Sequence, residues 1–407
     1  MNNEHLSQTP ALCLRNVKPV GFPTQIAPDS KGCIDILIGD DGNVIRAAAG
    51  VSVDLPADVR IVEGNGGWLS PGWTDLHTHI WYGGTDISLK PEVCGLSRGV
   101  TTLVDAGSAG EANFHGLREL IIEPASEDIF AFLNLGSIGL VACNRVSELT
   151  GLSSVDIDRI AATVEANRDL IVGLKVRASG VITGGWDVAP VKLAKKLGRV
   201  LKLPIMVHVG EPLPLYDDVL RILGEGDIIT HCFNGKLGGS ILEDEELYEL
   251  VKSSRDRGVI LDVGHGGASF SFDVARAALG QDLLPHTIST DIHNRSMPGS
   301  VWDMPTTMSK LLSLGMKFED VIAASSTTPR QVINRPYGDQ LKPGARANFT
   351  LFELNDSDLV VKDSKGIPSA LTKVFDPRYA ILGNRAWHAE RYQPSQTARK
   401  CTCGGHL

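Results

Sequence analysis

Apolar positions along this chain follow two patterns. From Leu69 onward, short strand-like runs alternate with longer stretches in which apolar residues recur at helical spacing, the arrangement of parallel βα units. The predicted strands are LSPGWTDLHTH from Leu69, VTTLVDAG from Val100, IFAFLNLG from Ile129, IVGLKVRA from Ile171, PIMVHVGE from Pro204, DIITHCFN from Asp227, GVILDVGHG from Gly258 and HTISTDIH from His286. Eight such units close a (β/α)8 TIM barrel, which makes the chain α/β. SSVDIDRIAATVEANRDL and ASSTTPRQVINRP read as helices, the first with Ser153 or Ser154 as its N-cap.

The flanks differ. ALCLRNVKPV, CIDILIGDDGNVIRAAAG and DVRIVEG near the start, and ARANFTLFEL and FDPRYAILGNRAWHAERY near the end, are short strands separated by turns such as DDGN. Their shared character predicts a small β-sandwich built from both termini, residues 1–68 and 340–392, packed against a barrel at 69–339. The last stretch, 393–407, is polar and Gly-rich and predicts a flexible tail. Its CTCGGH offers Cys401, Cys403 and His406 as metal ligands, but no second ligand cluster stands near it in the sequence, so an unstructured tail is the default.

Composition narrows the class. The 407 residues are 43% hydrophobic and 21% charged, enough for a sizeable core. A net charge of -9 disfavours nucleic acid or an anionic membrane surface as a partner. Seven scattered cysteines lack disulfide-framework spacing, which predicts reduced thiols. Neither a signal peptide nor an apolar run of about 18 residues stands in the sequence, so the expected setting is the cytoplasm. A homo-oligomer is compatible with all of this.

Candidate chemistry gathers at the strand ends, where a barrel of this kind carries its active site. In TDLHTH, His77 and His79 share one face of their strand while Leu76 and Thr78 share the other. Two neutral imidazoles converging on one point suit a metal ion, with a hydrogen-bonded histidine pair as the plain alternative. Later strand ends supply Lys175, His208, His231, His265 and Asp291 with His293. In IVGLKVR, Ile171, Gly173, Lys175 and Arg177 share one face; Val172, Leu174 and Val176 would pack against the helices. A lysine directed into a barrel is costly unless paired with an acid or neutralised. Reaction of its free amine with carbon dioxide would neutralise it, giving a carbamate able to bridge two cations.

A His pair on the first strand, a Lys on the fourth, one His each on the fifth and sixth, and an Asp on the eighth together resemble the amidohydrolase superfamily in its binuclear-metal form. LSPGWTDLHTH, GDIITHCFNG and LKPGARANFTLFEL are similar to the family's entry to the barrel, its sixth strand and its return to the small β unit. The resemblance runs from about Leu12 to about Ala389. It implies that His77, His79 and Asp291 hold a more buried metal, that His208 and His231 hold a more exposed one, and that carboxylated Lys175 bridges them. Zinc suits these ligands, with Co²⁺, Mn²⁺ and Fe²⁺ as alternatives. Asp291 would be both ligand and general acid/base.

Two substrate contacts are expected. Arg177, one pleat beyond Lys175, could grip a substrate carboxylate or form a buried salt bridge to a barrel acid such as Asp105. His265, on the Gly-rich turn after the seventh strand, could hold polar groups of the substrate or serve structure alone. Dihydroorotases carry an arginine two residues after the first-strand histidines, where this chain has Trp81; many D-aminoacylases use a cysteine after the second strand, where VDAGSAG has none. GLKVR, HVGEP, THCFNG, DVGHG and STDIH look closest to the amidohydrolase/deacetylase metallohydrolases. That likeness implies removal of a small acyl group such as acetyl from an amino acid or 2-hydroxy acid. The competing reading is a cyclic-amide hydrolase acting on a dihydroorotate-, hydantoin- or imidazolone-like ring.

Overall fold

The computed structural model describes residues 9–52, 55–143, 145–149 and 151–394. The expected tail, with its CTCGGH, lies almost wholly outside the described residues. Five strands come first: β1 (Pro10–Pro19), β2 (Ile34–Gly39), β3 (Val44–Ala48), β4 (Arg60–Glu63) and β5 (Trp68–Pro71). Seven follow with helices between them: β6 (Trp73–Thr78), β7 (Val100–Ala106), β8 (Asp128–Asn134), β9 (Ile171–Ala178), β10 (Ile205–Val209), β11 (Ile228–Thr230) and β12 (Ile260–Asp262). The chain ends in β13 (Asn348–Asp356), β14 (Val360–Lys362), β15 (Pro368–Ala370), β16 (Lys373–Leu382) and β17 (Arg385–His388).

β6 to β12 form one curled parallel sheet in sequence order. Residues 286–292, where an eighth strand is expected, make isolated parallel bridges to both edges: Thr287 pairs with Asp262 and Ile292 with Thr78. Backbone bonds Val263 N–H to Thr287 O, His265 N–H to Ser289 O and His79 N–H to Ile292 O complete the seam. The sheet therefore curls round to a ring, closed by an irregular segment.

Apolar side chains from the strands pave the interior, with both Val104 and Ala106 from β7. Leu76, Val104, Phe132, Val172, Met206 and Ile228, from β6 to β11, form a single apolar cluster, with Ile260 of β12 against it. Two of these depart from strict alternation. Leu76 and Val172 turn inward because irregularities in pairing, between Asp75 and Thr78 on β6 and between Ile171 and Gly173 on β9, break the period of two. The helix at Ile157–Ala166 is capped by Asp156, whose side chain accepts the Arg159 amide, in place of the expected Ser153 or Ser154. Ser154 instead bonds back to Gly151 within a preceding turn.

Both termini meet in one connected sheet, ordered β17-β16-β13-β5-β1-β2-β3 with β4 beside β1. The junction is antiparallel pairing of C-terminal β13 with N-terminal β5. A bulge in β16 leaves Arg378 unpaired just after Pro377, a residue that cannot donate to a regular ladder. Trp73 at the start of the barrel packs on Phe352 and Phe375 of the terminal sheet, with ring centroids 5.3 and 6.2 Å apart.

Phe352 is fully buried at this junction. We expect Phe352→Ala to destabilise the protein by about 3–5 kcal/mol, read as a lower urea midpoint at unchanged slope; a loss under about 1 kcal/mol would show that the sheet and barrel do not depend on this contact.

Candidate metal centre

Five of the six candidate ligands, His77, His79, Lys175, His208 and Asp291, line a cavity of about 260 Å³ at the C-terminal mouth of the barrel. The sixth, His231, stands directly behind His208, with its Nε2 2.8 Å from His208 Nδ1. Asp291 Oδ1 lies 3.4 Å from His77 Nε2 and 3.1 Å from His79 Nε2. Lys175 Nζ is 3.2 Å from His77 Nε2, and it rests on the apolar floor at Met206 Sδ, 3.3 Å away. One ligand atom each from His77, His231 and Asp291 falls within 4.8 Å of the others.

The far sides of these rings are held. His77 Nδ1 meets Thr230 Oγ1 at 2.9 Å, and that hydroxyl donates to the buried carboxylate of Asp262. His79 Nδ1 meets Ser108 Oγ, whose backbone amide donates to Asp105. His231 Nδ1 is 2.5 Å from the Gly264 carbonyl, which fixes the proton there and turns Nε2 toward His208. Backbone strain gathers here as well. His231 and Asp291 have φ of +70° and +49°, a left-handed conformation costing about 1–2 kcal/mol outside glycine. The Gly-rich turn is there for close approach: a Cβ at Gly266 would fall 2.5 Å from Asp291 Oδ2.

Burial pushes the His77 and His208 imidazoles well below their usual range, and holds His231 down to about 4. The rings are thus neutral and offer lone pairs. Burial would raise Asp291, but the imidazoles around it prevail and hold it well below the usual carboxylate range. Burial draws Lys175 down to about 8, so its neutral amine is accessible. Four imidazoles, a carboxylate and a lysine fit divalent cations: the Asp291 oxygen lies 3.4 and 3.1 Å from the His77 and His79 nitrogens, matching the roughly 3.3 Å between ligand atoms of a tetrahedral site with bonds near 2.0 Å. The donor set is right for metal, and its outer contacts already orient it.

No family model matches the chain. A deacetylase of Brucella anthropi is 57% identical over 399 residues, covering 98% of each chain. A deacetylase of Enterococcus faecalis is 30% identical, covering 92% of this chain and 98% of its own. A crystal structure of a dihydroorotase superposes with a TM-score of 0.90 at 57% identity, over 95% of this chain and all of its own; an adenine deaminase does so at 0.83 and 28% identity, over 93% and 99%. The chain belongs to the amidohydrolase superfamily.

In this amidohydrolase the two expected substrate contacts stand differently. Arg177 lines the cavity, but its Nε and Nη2 each bond Glu148 at 2.7 Å, a buried bidentate pair. The salt-bridge partner is thus Glu148; Asp105 instead accepts the amides of Ser108 and Ile80. His265 does not line the cavity. Its ring stacks on Phe270 at 4.4 Å, its Nε2 meets the buried Lys310 ammonium at 2.8 Å, and its Nδ1 faces the Gly266 carbonyl. Those contacts give His265 a structural place.

His293, named with Asp291 in the sequence, and residues that escaped the sequence reading complete the wall. His293 lines the cavity with Nδ1 accepting the amides of Arg295 and Ser296, which leaves Nε2–H as its donor. Lys236 and Glu211 line it too, the first one residue past THCFNG and the second within HVGEP, three residues after His208. Glu148 stands in a loop without periodicity, where no pattern marks it.

Thr230→Val removes the link from His77 to Asp262. Metal retention should weaken about 10–100-fold in chelator competition, with unchanged circular dichroism; unaltered retention would mean that this hydroxyl does not orient the ligand.

Proposed function

We propose that this amidohydrolase is a metal-dependent deacetylase. It would release acetyl, or a similarly small acyl group, from an amino acid or 2-hydroxy acid. The carrying observation is the convergence of neutral imidazoles, Asp291 and Lys175 on one cavity. Identity of 57% along nearly the whole chain to relatives named deacetylase supports it.

His77, His79 and Asp291 would hold one cation and His208 and His231 a second, zinc being the metal these ligands favour. Lys175 would sit between them as its carbamate: the neutral amine attacks carbon dioxide, an N–C bond forms, and nitrogen gives up a proton. Bound there, the cations supply a water of lowered pKa and a polarised acyl carbonyl. Asp291 turns Oδ1 to His77 and His79, leaving Oδ2 to take the proton of the attacking water and return it to the leaving nitrogen or oxygen. His293, a neutral donor beside it, would orient the substrate's oxygen.

A cyclic-amide hydrolase is the second reading, favoured by the 57% identical structure described as a dihydroorotase. Against it stands Trp81. Its indole is buried in the main core, packed on Gly84, and presents no cation to a ring carboxylate.

The same reading keeps residues 1–68 and 340–392 as one β-sandwich unit beside the 69–339 barrel. The terminal strands support it, since β2 and β13 bury Ile36, Ile38, Phe349 and Leu351 in one shared cluster. It also keeps a cytoplasmic setting and small carboxylate substrates; among the described residues no helix is long and apolar enough to cross a membrane.

Protein prepared with zinc and bicarbonate should carry about two metals per chain by elemental analysis and release acetate from N-acetyl amino acids or acetylated 2-hydroxy acids of one chirality. Ring opening without acetate release would select the second reading. Asp291→Asn, tested with metal bound, should lose more than about 100-fold in kcat; turnover like that of the parent would remove Asp291 from proton transfer.

A further inference from the structure

Besides Lys175, three cationic side chains line the cavity, and they are not equivalent. Arg177 is locked: two of its nitrogens are spent on Glu148, and both partners are nearly inaccessible. Drawing it onto a substrate would strand the Glu148 carboxylate in the interior. Arg295 is 53% exposed at the rim and paired with Asp86, so water screens it.

Lys236 is placed otherwise. Its ammonium reaches from the loop after β11 to Glu211 Oε1, 2.7 Å away, its only ion pair among the described residues. Glu211 in turn takes the Ser179 hydroxyl on Oε2. The Ser179–Glu211–Lys236 chain spans the ends of β9, β10 and β11, and its middle begins beside the site: a Cβ at Gly210 would fall 2.9 Å from Ser179 Oγ and 3.1 Å from His208 Nε2. Burial of Glu211 is outweighed by these bonds, so it stays charged, held down to about 2. It takes one of the three donors of the Lys236 ammonium. Glu211 is itself 45% exposed, so its charge is shared with water and leaves Lys236 able to attract a second anion. One part of the wall is apolar, with Ile87, Leu140 and Cys143 in one cluster.

We propose that Lys236, held by Glu211 and Ser179, is the carboxylate anchor of this site, and that the substrate is an acylated acid carrying its carboxylate toward Lys236 and an apolar substituent toward Ile87 and Leu140. This rests on the deacetylase reading for the acyl half alone. Arg177 becomes a wall element whose charge is already matched, and the specificity for an anion moves to the next loops.

The test separates binding from turnover. Phenylacetate and phenylacetamide are titrated calorimetrically into the metal-loaded protein. The parent should bind the carboxylate about 10–100-fold more tightly than the amide. Lys236→Met should abolish that preference while leaving amide binding unchanged, Lys236→Arg should keep most of it, and Arg295→Met should keep all of it. Lys236→Gln repeats the measurement if the Met variant disturbs the loop. A preference that survives in both Lys236→Met and Lys236→Gln, one lost in Arg295→Met, or none in the parent overturns the proposal. Acetate release is followed on the same preparations: a parent that releases none yet shows a Lys236-dependent preference loses the deacetylase reading and keeps the anchor.

Discussion

At the mouth of the barrel the buried carboxylate of Asp262 accepts hydroxyls from Thr230, Thr287 and Ser289 at 2.6–2.8 Å. Thr230 ends β11, Asp262 ends β12, and Thr287 and Ser289 belong to the irregular segment that completes the ring. A full strand would hold itself by a ladder; this segment has only isolated bridges, so side-chain bonds to one buried acid supply what the backbone lacks. Through Thr230 the same acid sets the His77 ring. Closure of the barrel and aim of a metal ligand are one network.

Much of this could be read from the chain because the period of two and the strand ends are local facts. His77, His79, Lys175, His208, His231 and Asp291 all stand where a parallel strand delivers its last inward side chains, and the structure gathers them within a few ångströms. What could not be read depends on partners far away. Arg177 has the same local setting as Lys175, yet its fate is decided by Glu148 in an aperiodic loop. His265 follows a Gly-rich turn that suggests a ligand site, but Lys310, 45 residues later, takes its nitrogen. Leu76 and Val172 obey bulges that no alternation count foresees. Eight strands were expected, and the last is a strand only by its two bridges.

Charge inside the molecule is handled differently in each place. Arg177 has a dedicated carboxylate. Lys310 has none within hydrogen-bond reach among the described residues and leans on two backbone carbonyls and His265, with burial drawing it down to about 7. Lys175 has an imidazole, a thioether and the cavity. Only the last arrangement leaves an amine whose needs are unmet by the fold, and it is the one that faces the reacting space.

The apolar floor from Leu76 to Ile228 has its own consequence. It seals the barrel beneath Lys175, so the site opens to water on one side only. A hydrolysis that makes two products must send both through the entrance its substrate used.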